Sequence, residues 1–418
     1  MPDSTRWPSL TQMLREAGEA KATVAITLIA ISVAWLVQVL LVAIIPLDDH
    51  LSNSIGHPAA GDFVAYYAAG TLVAAGEPAT AYDFVRFEKH MRSTLRADAA
   101  GFAWTYPPFT LGLVGLLGHL PPRAALWAWM AILAGCSALL ARVFLRDWRL
   151  AVLGVVFPGS TFSMLCGQNG TITALLTGTG LLLLMRRRVA AGVPWGVLVF
   201  KPQFALVPAL VLLFSGRWLV LAVLSTTAMT LTLTSVAVYG VDVWRAFLES
   251  VRIQSNDLAQ MRLPIQRMVT AFAGMLTLTH SQLLATFVQA CVAGAALFLT
   301  LGVWKTTAHL VPRALSLSLC MLLCTPYAYD YDLAVLLVPF LALIRDWRES
   351  GDLSWTKLGW LVLLAGLPPS AYFGGINLHF PFVAVILFLC LVVVRYRPEH
   401  LMAASHGPAR SAIPSPDA

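Results

Sequence analysis

The residues of this sequence that could do chemistry are polar side chains that interrupt long apolar stretches. The first is Asp62 in "GDFVAYYAAG", which stands shortly ahead of Tyr66 and Tyr67. Ionisable side chains within or beside membrane-type sequence are costly and mark candidate functional sites. A carboxylate in such a place can accept a proton from an attacking hydroxyl, as a general base does. Asp62 is therefore a candidate catalytic group, and the alternative is that it caps the helix that begins "FVAYY".

Two further segments offer groups for hydrogen bonds. In "WTYPPFTLGLVGLL" (104–117), two prolines deny backbone donors at the start of an apolar run, so a helix N-terminus can face water or an anionic ligand. In "CGQNGTITALL" (166–176), Gln168 and Asn169 lie in a glycine-flanked turn. Two amides placed in this way suit hydrogen bonds to hydroxyl groups, although the sequence is equally typical of an ordinary outer turn.

Two later segments carry charge. Lys201 lies in "VFKPQFALVPAL" (199–210), inside an otherwise apolar run, and must snorkel, pair with an acid or hold an anionic ligand. Asp330 and Asp332 stand at the head of a late apolar run, in "CTPYAYDYDLAVLLVPF" (324–340). On a regular helix these carboxylates point to roughly opposite sides, so the sequence does not predict that they act as a pair. Their alternative is one helix cap and one solvated acid.

The composition identifies the elements that must position these residues. The chain has 418 residues, 58% hydrophobic and 12% charged, whereas soluble domains carry roughly 25% charged residues. A soluble fold is therefore excluded. Apolar stretches of about 20 residues, enough to cross a ~30 Å hydrocarbon layer, recur along most of the chain. The sequence predicts an all-α polytopic membrane protein with about 10 to 13 transmembrane helices, because several runs are shorter than a straight span requires.

The predicted organisation is a single transmembrane domain with two tails. Residues 1–22 form a cytoplasmic N-terminal segment, residues 23–402 the transmembrane domain, and residues 403–418 a disordered cytoplasmic tail. The first apolar run is too long for a signal-peptide core and lacks a cleavage site, so we expect a retained anchor. Residues 47–105 then form a long first loop on the periplasmic or outer side.

Basic residues indicate the orientation of the chain and not a nucleic-acid partner, because they lie in short clusters between apolar runs. The positive-inside rule places these clusters in the cytoplasm. If runs 107–119 and 124–145 both crossed, the first cluster would fall outside, so either 107–119 does not cross or the rule fails there. The clusters are Arg142/Arg146/Arg149, Arg186–Arg188, Arg345/Arg348 and Arg395/Arg397.

The order of the polar segments resembles glycosyltransferase family 87, a GT-C type family of integral membrane enzymes related to polyprenyl-phosphate-mannose-dependent α-mannosyltransferases. The family pattern D..vYy.Aa..l..G..pY, f.Y.Pp, GQ.n and KPq recurs here in the same order, over roughly residues 25–345. The matching residues are Asp62, Tyr66, Tyr67, Ala68, Gly76, Tyr82, Phe102, Trp104, Tyr106, Pro107, Pro108, Gly167, Gln168, Asn169, Lys201, Pro202 and Gln203.

The resemblance implies a GT-C-like bundle with a long first outer loop containing short helices, embedded in membrane lipid. It implies transfer of a hexosyl group, mannosyl in related enzymes, from a polyprenyl-phosphate-linked sugar donor to a glycolipid or glycan acceptor at the outer face of the inner (cytoplasmic) membrane. Asp62 would be the general base. Lys201, Arg262 or Arg267 would hold the phosphate, and the alternative for the two arginines is a solvated loop. Gln168, Asn169 and Gln203 would bind sugar hydroxyls, and Tyr66, Trp104 and Tyr106 would stack on sugar faces. Asp330 would pair with Lys201 or bind a sugar hydroxyl, and Asp332 is a further substrate-binding candidate.

One late segment departs from the family pattern. Where members close to the mannosyltransferases resemble "sP.sWdHHl", this chain has "TPYAYDYDL", with Tyr329 for the Trp and Tyr331 and Asp332 for the two His. A phenol and a carboxylate in place of imidazoles leave the sugar and the acceptor open. No cofactor and no metal site are expected; a divalent cation stays open, although Asp62 lacks the adjacent acid of a D-x-D pair.

A secondary transporter or a flippase for lipid-linked sugars is the alternative class, since such proteins also have broken helices and charges in mid-membrane. Those folds usually carry an internal repeat, and the two halves of this sequence show no similarity to each other. A transporter would also not require a long acidic and aromatic loop directly after its first span. The sequence therefore favours an enzyme.

Overall fold

The protein is helical throughout the part of the chain that the structure describes. The computed structural model describes residues 9–46, 51, 53, 57–95, 102–259 and 265–373. α-Helices, short 3-10 turns and one π-helical turn, Leu40–Ile44, make up the regular structure in these ranges, and no strand occurs in them. The predicted all-α class is confirmed.

Eighteen α-helices lie in the described ranges. The first nine are α1 (Leu10–Glu16), α2 (Glu19–Val39), α3 (Phe63–Ala74), α4 (Phe84–Leu95), α5 (Leu111–Gly118), α6 (Pro122–Leu145), α7 (Val152–Val156), α8 (Pro158–Leu165) and α9 (Gly170–Met185). The next nine are α10 (Gly192–Val197), α11 (Pro202–Phe214), α12 (Trp218–Tyr239), α13 (Val241–Ala259), α14 (Ala271–Thr279), α15 (Gln282–Thr306), α16 (Leu310–Leu323), α17 (Leu337–Ser350) and α18 (Trp355–Phe373).

Four described helices are long and apolar enough to cross a membrane: Glu19–Val42, which includes α2, and α6, α12 and α15. A bent pair, Trp148–Val156 and Pro158–Leu165, adds a fifth span if it is counted as one, with a 58° bend. Several further apolar helices have only 10–17 residues. Helices of this length cross a bilayer only where it is thinned or where two of them form one broken span. The total of about 10 to 13 spans therefore stays a prediction. The predicted run 379–394 lies outside the described residues.

The first outer loop contains short helices, as expected, and it folds back into the bundle. α3 is buried along most of its length, from Phe63 at 0% exposure to Leu72 at 2%. It contacts α5 where two glycines meet: a Cβ on Gly118 would lie 2.1 Å from the carbonyl oxygen of Gly70. Small residues let two helix backbones approach this closely in membrane proteins.

The segment Pro108–Gly118 is too short to cross the membrane as a straight helix. At about 1.5 Å per residue it covers roughly half of a ~30 Å hydrocarbon layer. The sequence left open whether this run fails to cross or the charge rule is broken. The helix length supports the first alternative, in which the run 107–119 does not cross the membrane. The C-terminal end of α6 and its arginine cluster would then lie on the cytoplasmic side, in agreement with the positive-inside rule.

Three of the arginine clusters lie together at one end of the bundle. Arg348 donates to the carbonyl oxygen of Leu145 at 2.6 Å, at the end of α6. Burial and the charges of Arg146 and Arg345 lower the pKa of Arg186, so the second cluster lies beside the other two. From the positive-inside rule, this end is expected to be the cytoplasmic one.

The start of α2 lies at the same end. The Nζ atom of Lys21 is 5.8 Å from the ring centroid of Trp355, which opens α18 shortly after α17 ends. The cytoplasmic N-terminus predicted from the first anchor is therefore consistent with the arginine clusters. The fourth cluster, Arg395/Arg397, is outside the described residues.

Candidate active site

The GQNG turn between α8 and α9 is the centre of the candidate site. Ser163, in the last turn of α8, donates its hydroxyl hydrogen to the carbonyl oxygen of Gln168 at 2.7 Å. The same hydroxyl oxygen accepts from the N–H of Gly170 at 2.9 Å. One buried serine therefore fixes the conformation of the turn that carries both amide side chains.

Two glycines let this turn contact the chain on both sides. Gly167 has φ +65°, and a Cβ there would lie 2.0 Å from the carbonyl oxygen of Ala60, just before α3. A Cβ on Gly170 would lie 2.5 Å from the carbonyl oxygen of Tyr331, just before α17. The turn thus brings the start of α3 and the late acidic segment to one place, which the sequence order alone does not reveal.

Asp62 contacts Gln168 and does not cap α3 with its side chain. α3 begins at Phe63, as the sequence predicts, and Asp62 occupies the N-cap position without a side-chain cap hydrogen bond. The Oδ2 atom of Asp62 accepts a hydrogen bond from Nε2 of Gln168. The capping alternative is wrong for this side chain, so the carboxylate is not committed to the helix amides that would lower its basicity.

Two tyrosine hydroxyls fix the other end of the Gln168 amide. Its Oε1 atom accepts from Tyr106 at 2.7 Å and lies 3.0 Å from the hydroxyl of Tyr66. Asn169 Nδ2 donates to the Tyr66 hydroxyl at 2.8 Å, while its buried Oδ1 accepts no hydrogen bond within the described part of the chain. Gln168 is thereby oriented with its nitrogen on Asp62, where an N–H stabilises an ionised carboxylate.

The aromatic rings of this network pack on one another. The ring centroid of Tyr66 lies 5.4 Å from Trp104, 5.5 Å from Tyr106 and 4.8 Å from Trp129. Trp129, which belongs to none of the sequence motifs, also donates to the carbonyl oxygen of Gly167 at 2.8 Å. The three rings that were expected to stack on a sugar are buried, at 3% exposure for Tyr66, 2% for Trp104 and 9% for Tyr106. Tyr66 and Tyr106 therefore contribute mainly their hydroxyls, and Trp104 contributes rigidity.

Lys201 breaks its apolar run and pairs with Asp332. The helix restarts at Pro202 after Lys201 at φ −121° and ψ 81°, because a residue before proline disfavours the helical conformation and proline suits the first helical position. Nζ lies 2.6 Å from Oδ1 of Asp332, and the two side chains are only 5% and 3% exposed. Of the two alternatives for Asp330, pairing with Lys201 is wrong, because Asp332 is the acid that Lys201 contacts.

Asp330 pairs instead with Arg267. Nε and Nη2 of Arg267 donate to the two carboxylate oxygens of Asp330, each at 3.0 Å. Nη2 also contacts the Sγ atom of Cys166 at 3.0 Å, and Nη1 donates to no described residue. The two carboxylates lie on the 3-10 turn Asp330–Leu336 and not on a regular helix, and each of them binds a different cation.

Tyr331 lies between the two cations and was not among the expected site residues. Nζ of Lys201 is 5.3 Å, and the guanidinium carbon of Arg267 5.8 Å, from its ring centroid. The ring stacks on Tyr329 at 5.3 Å with an interplanar angle of 12°. Cations are attracted to an aromatic face at such distances. The sequence contains one indication of this role: Tyr329 and Tyr331 both replace family residues in "TPYAYDYDL", the segment that departs from the family pattern.

Nine of the expected residues therefore meet at one place. Asp62 and Arg267 lie close together, because the backbone N–H of Asp62 donates to the carbonyl oxygen of Cys166 and Arg267 contacts the thiol of the same residue. Gln203 is half-buried and makes no hydrogen bond with a described residue, and Arg262 lies outside the described residues. The nine are Asp62, Tyr66, Tyr106, Gln168, Asn169, Lys201, Arg267, Asp330 and Asp332.

The electrostatics of the site favour a basic Asp62. Burial raises the pKa of its carboxyl above the usual 3.8, and the hydrogen bond from Gln168 and the charge of Arg267 only partly oppose this rise. Asp62 is half-buried, so it remains partly accessible from outside the protein. A carboxylate whose pKa is raised toward the working pH is a stronger proton acceptor than a solvated one.

Fold and site together define a helical membrane protein with a polar centre at the end of the bundle away from the arginine clusters. α9 begins in this centre and ends just before Arg186–Arg188. Residues 104–326, more than half of the chain, match the model of glycosyltransferase family 87, and the chain belongs to this family. It is a membrane glycosyltransferase, with a sugar donor and an acceptor as its substrates.

The family match has a limited extent. It includes Gln168, Lys201 and Arg267, whereas Asp62 and the two late acids lie outside the matched segment. No curated protein and no solved structure matches the chain significantly. The roles of the site residues therefore depend on their geometry.

Proposed function

We propose that the protein transfers a hexosyl group, mannosyl in the first instance, from a polyprenyl-phosphate sugar to a lipid or glycan acceptor at the outer face of the cytoplasmic membrane. The observation that carries this proposal is the placement of Asp62. Its carboxylate is bonded to Gln168, lies beside Arg267 and sits at the end of the bundle opposite the arginine clusters. A base and a phosphate-binding cation thus adjoin the same turn.

In the proposed reaction Asp62 is the general base. The acceptor hydroxyl attacks the anomeric carbon while its proton passes to the Asp62 carboxylate. The new bond joins the acceptor oxygen to the anomeric carbon, and the bond from that carbon to the phosphate oxygen breaks with its electrons. The polyprenyl phosphate leaves on the opposite side, so the anomeric configuration inverts.

Arg267 is the proposed ligand of the donor phosphate. Its side chain is 37% exposed, and its Nη1 atom donates to no described residue, so donors remain for a phosphate oxygen. Lys201 is a weaker candidate than the sequence indicated, because its charge is already balanced by Asp332 in a pair that is only 5% and 3% exposed. Lys201 then acts by positioning Tyr331 and Asp332.

Asn169 is the proposed contact to a sugar hydroxyl. Its Oδ1 atom is buried without a partner among the described residues, next to the Tyr66 hydroxyl that its Nδ2 contacts. A buried carbonyl oxygen of this kind costs free energy unless a donor reaches it. A hydroxyl of the bound sugar would supply that donor.

The proposal is tested with the full-length protein in detergent. Radiolabelled polyprenyl-phospho-mannose and polyprenyl-phospho-glucose are supplied with a lipid extract of the producing cells as acceptor, in the presence and absence of EDTA. We expect transfer from one of these donors without an added metal and a loss of about 10²-fold or more for Asp62→Asn. Asp83→Asn, an exposed acid of the same loop, is the matched control.

Two results would overturn the proposal. Transfer that survives Asp62→Asn would remove Asp62 as the base. An absence of transfer from either donor, combined with movement of the lipid-linked sugar across vesicles containing the protein, would favour the flippase alternative.

A further inference from the structure

A second polar centre lies at the far ends of the helices that build the candidate site. α9 and α11 begin at this site and α16 ends near it, and a cavity of about 250 Å³ opens between the opposite ends of the three helices. The 16 residues of α9 separate the two places, by roughly 24 Å at about 1.5 Å per residue. The cavity is therefore not part of the glycosyl-transfer site.

Three cations line this cavity. They are Arg217, Lys305 and Arg313, and no carboxylate is among the lining residues. None of the three forms an ion pair with a described residue. Like charges gathered around one cavity repel each other unless an anion lies between them. The cavity thus has the charge of an anion-binding site.

Arg313 is held in place by neutral acceptors. Nε donates to the carbonyl oxygen of Thr307 at 2.8 Å, and Nη2 to that of Trp304 at 3.2 Å. The guanidinium also lies 4.8 Å from the ring centroid of Trp304. These contacts fix the side chain at the end of α15 without neutralising its charge by a counter-ion. A fixed cation loses little conformational freedom when an anion binds.

The position of the cavity along the candidate spans matches the level of lipid headgroups. Arg217 immediately precedes α12, and Lys305 lies in the last turn of α15; both helices are long and apolar enough to cross a membrane. Such helix ends lie at the boundary between hydrocarbon and water. The cavity therefore opens where phosphate groups of the bilayer are found.

Apolar surface continues outward from the cations. Leu212 and Phe214 line the cavity, and Phe214, Trp218 and Leu219 next to it are 55%, 63% and 72% exposed. An inorganic anion would not use this surface, whereas acyl chains beside a headgroup would cover it. Basic pockets between transmembrane helices bind anionic lipid headgroups in this way.

We propose that this cavity binds the phosphate headgroup of an anionic phospholipid of the membrane. Arg217, Lys305 and Arg313 contact the phosphate, and the acyl chains lie along the exposed apolar residues that follow. The lipid is a bound component of the bundle and not the sugar donor, because it enters at the end away from Asp62.

The full-length protein in detergent tests the proposal with phosphatidylglycerol as probe, zwitterionic phosphatidylcholine as the reference without net charge, and inorganic phosphate as the soluble anion. Native mass spectrometry counts retained lipid, and a titration gives the apparent Kd. We expect phosphatidylglycerol to bind more tightly than phosphatidylcholine, and Arg217→Gln/Lys305→Gln to weaken it by about ten-fold or more. Both substituted residues are exposed, so this variant keeps its packing; Arg149→Gln, an exposed cation of the same end, is the control.

Three outcomes would overturn the proposal. The first is equal binding of both lipids by the wild-type protein. The second is an equal loss of affinity in the Arg149→Gln control. The third is inorganic phosphate that displaces phosphatidylglycerol at similar concentration, which would identify a site for a free anion. Arg313→Lys keeps the positive charge but removes the planar guanidinium group. Binding that is retained in Arg313→Lys and lost in Arg217→Gln/Lys305→Gln would support the proposal.

Discussion

Arg267 and Asp330 form a bidentate ion pair in which the carboxylate is buried and the guanidinium is partly exposed. Both nitrogen–oxygen distances are 3.0 Å, and the side chains are 37% exposed for Arg267 and 4% for Asp330. The acid therefore works as an anchor that holds a partly exposed guanidinium in a fixed orientation. Asp332 anchors Lys201 in the same way, although that cation is buried as well.

Arg267→Lys is expected to impair donor binding although it keeps the charge. A lysine cannot donate two parallel hydrogen bonds to Asp330, so the cation loses its orientation toward the phosphate. We expect kcat/KM for the lipid-phosphate donor to fall by about 10- to 100-fold, mainly through KM. The measurement is steady-state transfer in detergent. Arg245→Lys is the matched control, because Arg245 forms an exposed ion pair with Asp242 at 2.7 Å; equal losses in both variants would contradict the assignment.

The acid side of the pH profile should report Asp62. The base must be ionised, so activity is lost as the pH falls through its pKa, and a pKa above the usual 3.8 moves this loss to a higher pH than a solvated carboxyl would give. Gln168→Ala removes the hydrogen bond that lowers this pKa, and its profile should shift further toward high pH. The pH dependence of kcat/KM is the measurement. An unshifted profile in Gln168→Ala, with Gln282→Ala as the exposed control, would show that another group titrates.

The sequence predicted the elements that carry the site better than the contacts within it. The start of α3 at Phe63 was predicted from an acid that precedes an apolar helix. The break at Lys201 was not predicted, although the proline that follows it explains why the helix restarts there. The membrane class follows from composition alone, because 12% charged residues cannot cover a soluble fold of this length.

The pairing of charges could not be predicted, because it depends on elements far apart in the chain. Asp330 and Asp332 are separated by one residue, and which of them meets Lys201 is decided by a 3-10 turn in place of a regular helix. The central position of Tyr331 depends on Gly170, which lets the GQNG turn contact its carbonyl group. Neither relationship leaves a local pattern in the sequence.

Lys201→Met should destabilise the protein, and a second substitution should restore part of the loss. Removing the cation leaves the Asp332 carboxylate buried without its partner, which costs about 3–5 kcal/mol. Lys201→Met/Asp332→Asn removes the charge as well, so we expect its thermal midpoint to lie above that of the single variant. The thermal midpoint is measured in detergent from the fraction of protein that stays soluble as the temperature is raised. Arg245→Met breaks an exposed pair and should change stability by less than about 1 kcal/mol; a similar loss there would indicate a general sensitivity to charge.

Gly118→Ala is expected to disturb both stability and activity. A Cβ at this position would lie 2.1 Å from the carbonyl oxygen of Gly70, a backbone atom, so α3 and α5 must move apart. Overpacking of this kind costs about 1–3 kcal/mol. Because α3 carries Tyr66 and begins directly after Asp62, its displacement should also lower the rate of transfer. Gly135→Ala is the control, since Gly135 lies within α6 with nothing in reach of an added Cβ. The measurements are thermal unfolding and transfer from the lipid-phosphate donor in the same preparation. If both variants behave like the wild-type protein, the close contact of α3 with α5 does not exist in the membrane, and the first loop does not hold Asp62 in the way proposed.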